Sequence, residues 1–228
     1  MRRLRAKGAP YGPVCQILLN MDDSYAELRR NMVERQLLPR GIRDGAVLAA
    51  MGKIPRELFL DEGSRQSSYA DGPLPIGYGQ TISQPYIVAY MTELLGLSGK
   101  EKVLEIGSGS GYQTAVLAEI AAEVYTVERI PELSRSASGL LLGRLHYKNI
   151  FFKTGRGQDG WTEFAPYDRI LVTAAPAEFP EKLFDQLGAG GMAVAPIGVD
   201  SQKLVRFVKR DGQIRAEEGI GVIFVPLI

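Results

Sequence analysis

Between residues 102 and 188 two hydrophobic rhythms alternate along the chain. Val103, Leu104 and Ile106 form a short, dense apolar run, which predicts a buried strand. A glycine-rich turn follows, then apolar residues at helical spacing over residues 112–121. The rhythm repeats. Strands are predicted at 124–127, 149–152 and 169–173. Helices are predicted at 131–145, with Pro131 in the first turn, and at 180–187, ending at Gly188. Such alternation implies a mainly parallel sheet with helices on both faces.

The flanking segments read differently. Leu28, Met32, Val33 and Leu37 recur at helical spacing over residues 24–38, where Ser24 and Glu27 form a capping-box pattern. Pro39 and Gly41 end that helix, and Asp44 caps a second, short one carrying Val47, Leu48 and Met51. Residues 67–80 are rich in Gly, Pro and Tyr and predict an ordered loop. Ile87, Val88, Met91, Leu94 and Leu95 share one face of a helix over 83–95. At the other end, three strands are predicted at 191–197, 203–209 and 219–225, with a turn at Gly212 between the last two. The fold class is therefore α/β: a Rossmann-like central sheet, antiparallel strands at the C-terminal end, and a helical N-terminal cap.

Composition narrows the function. The chain has 228 residues, which suits one domain with small additions. A net charge of +1 supplies no field to draw it to nucleic acid or anionic lipid. No run of about 18 apolar residues exists, so no membrane span is expected. Arg2, Arg3, Arg5 and Lys7 precede a short apolar stretch, 14–19, broken by Gln16, which makes a poor signal peptide. Residues 1–21 read as a frayed extension. Residues 22–228 read as a single domain, with 22–82 forming a helical cap and active-site loop and 83–228 a cofactor-binding core. Cys15 is the single cysteine, which excludes an internal disulfide and fits a reduced thiol in the cytoplasm. His146 is the single histidine. It rules out most His-based metal sites, argues against a Ser-His-Asp triad, and reads as a helix-end cation. No metal is expected, and a monomer is the default expectation.

The sharpest local signal is the run from Val103 to Gly111, in which Gly107, Ser108, Gly109, Ser110 and Gly111 follow the first buried strand. Glycines at such a turn accept positive φ and let a ligand approach the backbone. Glu128 ends the second strand about 20 residues later, where an acid can accept hydrogen bonds from ribose hydroxyls. A dinucleotide turn usually reads G-x-G-x-x-G. Here the glycines alternate as G-x-G-x-G, and Glu105 precedes them. That version is similar to the motif of methyltransferases that use S-adenosylmethionine. The turn taken alone also suits NAD, or a merely structural strand-to-helix junction.

Other segments carry a fuller resemblance. Residues 71–77, reading DGPLPIG, and 79–85, reading GQTISQP, resemble the active-site segment of protein-L-isoaspartate O-methyltransferases. Upstream, 32–37 (MVERQL) and 54–57 (IPRE) are similar to that family's N-terminal segment. Downstream, Pro166-Tyr167-Asp168, Val172-Thr173-Ala174-Ala175, Gly190-Gly191 and Phe224-Val225-Pro226-Leu227 match in order, so the resemblance covers residues 24–228. It implies a methyltransferase fold that moves a methyl group from S-adenosylmethionine to the α-carboxylate of isoaspartyl residues in peptides and proteins. The ester then collapses to a succinimide, which can reopen as normal aspartate, and S-adenosylhomocysteine is the other product.

The resemblance implies site residues as well. Ser83 corresponds to the family's active-site serine, a hydrogen-bond donor to the substrate carboxylate; it also reads as the N-cap of the helix it precedes. Thr81, Ile82, Val225 and Pro226 are expected to line the substrate pocket. Gln80, Glu105, Gly107, Ser108, Gly109, Ser110, Gly111, Glu128, Arg156 and Gly157 are expected around the cofactor. One position departs from the family. Where a Gly-Asp-Gly usually offers an acceptor to the adenine amino group, this chain has Gly155-Arg156-Gly157. Arginine has no acceptor, though its plane can stack on a ring. Asp159 follows nearby, and Trp161 reads as packing rather than as a cofactor lid. Rival readings are a methyltransferase for another substrate, an NAD-dependent oxidoreductase, and a non-catalytic cofactor-binding module.

Overall fold

A seven-stranded sheet with strand order β5-β4-β3-β6-β7-β8-β9 organises the molecule. The computed structural model describes residues 23–228; Cys15 and the extension read for residues 1–21 lie outside the described residues. Its strands are β3 (Lys102–Ile106), β4 (Glu123–Glu128), β5 (Ile150–Thr154), β6 (Tyr167–Val172), β7 (Leu187–Ile197), β8 (Gln202–Arg210) and β9 (Gln213–Val222). β3 to β7 pair in parallel, and β8 and β9 add to the edge antiparallel. The sheet grows from β3 to β4 and β5 on one side, then resumes with β6 on the other. That reversal opens a crevice between β3 and β6 at their carboxyl ends.

Side chains alternate across the sheet as a period of two requires. Val103 and Leu171 belong to one buried cluster, while Leu104, Ile106 and Ile170 belong to a second. The helices are α1 (Asp23–Met32), α2 (Gly45–Lys53), α3 (Pro85–Leu95), α4 (Tyr112–Ile120), α5 (Pro131–Ser138) and α6 (Glu181–Gln186). α1 continues through Val33–Leu37 as a π-turn and Leu38–Arg40 as a 3-10 turn. The first cluster joins Met32, Leu37, Met51 and Ile54 to Met91, Leu95 and Leu117, so the N-terminal helices share a core with α3 and α4. The predicted cap at Asp44 is present: its carboxylate accepts from the N–H groups of Ala46 and Val47.

Three expectations need correction. The segment 67–80 is not all loop, because Leu74–Gly77 (β1) and Gln80–Ile82 (β2) form a small antiparallel hairpin. Ser83 is not the N-cap of α3. Gln84 holds that place and makes no side-chain cap; its amide turns instead to the Asp71 carboxylate at 2.8 Å. The last strand starts at Gln213 rather than 219 and stops at Val222. Asp211 and Gly212, with φ of 51° and 74°, make the two-residue turn into it. β9 is an edge strand whose outward charges, Glu217 with Arg206 and Glu218 with Lys203, hide its period.

Candidate active site

The glycine turn begins where β3 runs out of partners. Gly107 N–H still donates to Val127 of β4 at 2.8 Å, and Gly111 N–H closes the turn onto Ser108 at 2.7 Å. Gly107, Gly109 and Gly111 all have positive φ, between 50° and 95°. Thr173, just past β6, locks the turn. Its hydroxyl donates to the Gly107 carbonyl at 2.6 Å, and a Cβ on Gly107 would lie 2.4 Å from that oxygen. Any side chain there would expel the clamp.

Glu128 ends β4 facing the turn. One carboxylate oxygen accepts from Gly109 N–H and the other from Ile130 N–H, both at 2.9 Å. These bonds fix the carboxylate's plane and leave lone pairs on both oxygens for a diol. The Ser108 hydroxyl is buried and has no hydrogen-bond partner among the described residues. A nucleoside carrying an amino-acid tail suits this pair: hydroxyls for Glu128, a carboxylate for Ser108. S-adenosylmethionine has that donor and acceptor set. Among the described residues, no group of His, Cys, Asp and Glu is arranged to hold a metal.

The turn opens into a cleft of about 730 Å³. Gly107, Ser108, Gly109, Ser110, Glu128 and Gly157 line it, and so do Gln80, Thr81, Ile82, Ser83, Val225 and Pro226, together with Ile87 and Ile223. The hairpin β1–β2 delivers Gln80, Thr81 and Ile82 and runs directly into Ser83. The chain after β9 delivers Val225 and Pro226, because Ala175 N–H donates to the Val225 carbonyl and Leu227 N–H to the Ala175 carbonyl, both at 2.8 Å. Gln202 steadies the same segment, accepting from Phe224 N–H at 2.6 Å. Ser83 presents a hydroxyl with no hydrogen-bond partner among the described residues, beside a helix whose first turn has no side-chain cap.

Three residues expected at the cofactor do not line the cleft: Glu105, Gly111 and Arg156. Glu105 is buried behind the turn, where Thr114 and Thr126 hydroxyls donate to it at 2.6 and 2.7 Å. Gly111 is the αL start of α4, packed on Ala137 and Leu141. Arg156 is exposed at the end of β5. Asp159 does not line the cleft either, and its carboxylate pairs with Lys182 at 2.7 Å. Trp161 packs edge-on against Tyr125 and Phe164, as expected of a structural residue. Thr173 stands in the Val172–Ala175 match, but neither its role nor that of Gln202 follows from residue pattern. Both roles are contacts across the fold, and the local signals are only a Thr ending a buried strand and a Gln before an alternating run.

Comparison with known proteins agrees with this geometry. The family model described as protein-L-isoaspartate(D-aspartate) O-methyltransferase matches residues 28–228. A protein-L-isoaspartate O-methyltransferase from a Picosynechococcus species is 53% identical over 205 residues, covering 90% of this chain and 92% of that one. A solved protein-L-isoaspartate O-methyltransferase superposes with a TM-score of 0.79 at 31% identity, over 87% of this chain and 65% of that longer one. A Plasmodium falciparum protein described as the same enzyme, solved in complex with S-adenosyl-L-homocysteine, gives 0.74 at 26% identity over 90% and 98% of the two chains. With the glycine turn, Glu128 and the Ser83 segment gathered on one cleft and the match running from residue 28 to the last, this chain belongs to the protein-L-isoaspartate(D-aspartate) O-methyltransferase family.

Proposed function

We propose that this protein transfers a methyl group from S-adenosylmethionine to the α-carboxylate of isoaspartyl residues in damaged peptides and proteins. Repair then proceeds through a succinimide, and S-adenosylhomocysteine is released. Family membership supports both donor and acceptor class. The observation that carries the acceptor reading is Ser83, a free hydroxyl on the cleft wall next to an uncapped helix start. Such a start, with its unpaired N–H groups, favours a bound carboxylate.

The chemistry asks little of the side chains. The nucleophile is a carboxylate, with a reference pKa near 4, and is ionised at neutral pH. No general base is required, and among the described residues neither Lys nor His lines the cleft. S-adenosylmethionine, when bound, supplies a methyl group on a sulfonium, which is a good leaving group. The protein's part is alignment and exclusion of water. Ser83 and the α3 start orient the carboxylate, while Ile82, Ile87, Val225 and Leu227 make the walls apolar. Orientation of this kind is worth about 7–11 kcal/mol at its best.

The test is methyl transfer from labelled S-adenosylmethionine to two short peptides that differ only in isoaspartate against aspartate. Labelling of the isoaspartyl peptide alone is expected. Ser83→Ala should lower kcat/KM by about 10- to 100-fold, the worth of one hydrogen bond to a charged group. It should leave S-adenosylhomocysteine affinity within about threefold. Equal labelling of both peptides, or full activity in S83A, would overturn the respective part of the reading.

A further inference from the structure

Behind Ser83 lies a cation that the chemistry above does not use. Arg56 is fully buried, in the 3-10 turn Arg56–Phe59. Its Nε donates to the Ser68 carbonyl and its Nη2 to the Ser83 carbonyl, each at 2.7 Å. Its plane lies over the ring of Tyr112, 4.7 Å from the centroid. Tyr112 starts α4 directly after the glycine turn and lines the cleft. One guanidinium therefore touches both the peptide that carries Ser83 and the aromatic residue that follows the cofactor turn.

The charges around it do not balance. Glu57 is buried next to Arg56 in sequence, but its carboxylate is engaged elsewhere. One oxygen accepts the Tyr69 hydroxyl at 2.5 Å and the other lies 3.9 Å from Arg29. Tyr69 in turn accepts from the Arg56 backbone N–H at 3.2 Å. The cluster holds Arg29, Arg56 and one carboxylate, and no carboxylate forms an ion pair with Arg56 among the described residues. Its Nη1 is buried without a hydrogen-bond partner among the described residues. A buried, unpaired cation is costly unless an anion arrives to favour it. Arginine cannot escape that cost by losing its proton.

We propose that Arg56 is a positioning residue for the substrate end of the cleft. It fixes Ser83 against Tyr112, and its unpaired charge behind the Ser83 peptide favours an incoming α-carboxylate over a neutral group. This inference rests on the reading of Ser83 as the donor to that carboxylate. Arg56 acts through Ser83 and does not line the cleft itself.

The experiment compares two competitive ligands on the whole protein saturated with S-adenosylhomocysteine. One is an isoaspartyl peptide, and the other is the same peptide with its α-carboxylate converted to a carboxamide. The readout is the affinity ratio of carboxylate to amide, which a purely structural defect would not move. R56Q is expected to lower that ratio by about tenfold, because a charge acting through an intervening peptide is worth less than one in direct contact. R56K keeps the charge but cannot span two carbonyls as a planar fork does, and is expected to lose about threefold. S-adenosylhomocysteine affinity should stay within about threefold in both. A ratio equal to the wild type in the Arg56 variants, with any loss shared by both peptides, overturns the inference. If R56Q does not fold, R56K decides alone on the same criterion. S83A separates the two readings. A lowered ratio in S83A with unchanged Arg56 variants removes only Arg56. An unchanged ratio in S83A removes the Ser83 reading, and with it the route through Ser83.

Discussion

Glu105 sits where a negative charge is hard to hold. Burial, helped by the charge of Glu128, pushes its pKa up to about 7 against hydrogen bonds from Thr114 and Thr126. Its second oxygen has no partner among the described residues. The folded state therefore binds this proton more tightly than the unfolded chain, where the value is 4.5. The stabilisation is complete below that pH and is lost as pH rises through about 7. Thermal melts of the wild type should fall between pH 5 and 8 more steeply than those of Glu105→Gln, and parallel curves would remove the effect. Arg156 offers the opposite test, of a missing acceptor on an exposed site. Arg156→Asp is expected to tighten S-adenosylhomocysteine binding by several-fold, the worth of about one hydrogen bond. Calorimetric titration showing equal or weaker binding would count against the adenine contact that the family resemblance implies there.

At the scale of elements, the C-terminal segment makes the clearest prediction. β9 ends at Val222, and residues 223–228 then cross the cleft on two backbone hydrogen bonds to Ala175. Removing 223–228 should leave the sheet and its circular dichroism intact. It should cut methyl transfer by at least about 100-fold, because the wall that aligns the substrate is gone. A truncated chain with full activity would exclude the segment from the site. Elements of this kind also mark what the sequence could tell. The parallel strands and their helices were legible because each buries an apolar face with its own period. The hairpin β1–β2 was not, since Gly77, Tyr78 and Gly79, all at positive φ, resemble loop composition. The period of β9 is hidden because its charges face water on an edge. The spacing of Ser83 suits a cap, whereas Gln84 occupies the position. Arg56 and Thr173 fall in segments that resemble the family, but they act through bonds spanning 27 and 66 residues, which no local pattern records.

On the scale of the whole molecule, the cleft is assembled from stretches of unequal kind. One of them, from β3 to Gly157, carries the glycine turn and Glu128, which suit the cofactor. Two short flanking pieces, the β1–β2 hairpin running into Ser83 and the segment after β9, carry the residues proposed to face the acceptor. The two sets of residues meet in one cleft but come from largely separate parts of the sequence. Selection can therefore act on them separately. Changes in the two flanking pieces can retune which acceptor is admitted while the donor end stays intact. The same partition gives protein engineers a natural cut: exchanging two brief segments, one on either side of the nucleoside cradle, is a compact graft by which to redirect this scaffold to a different carboxylate.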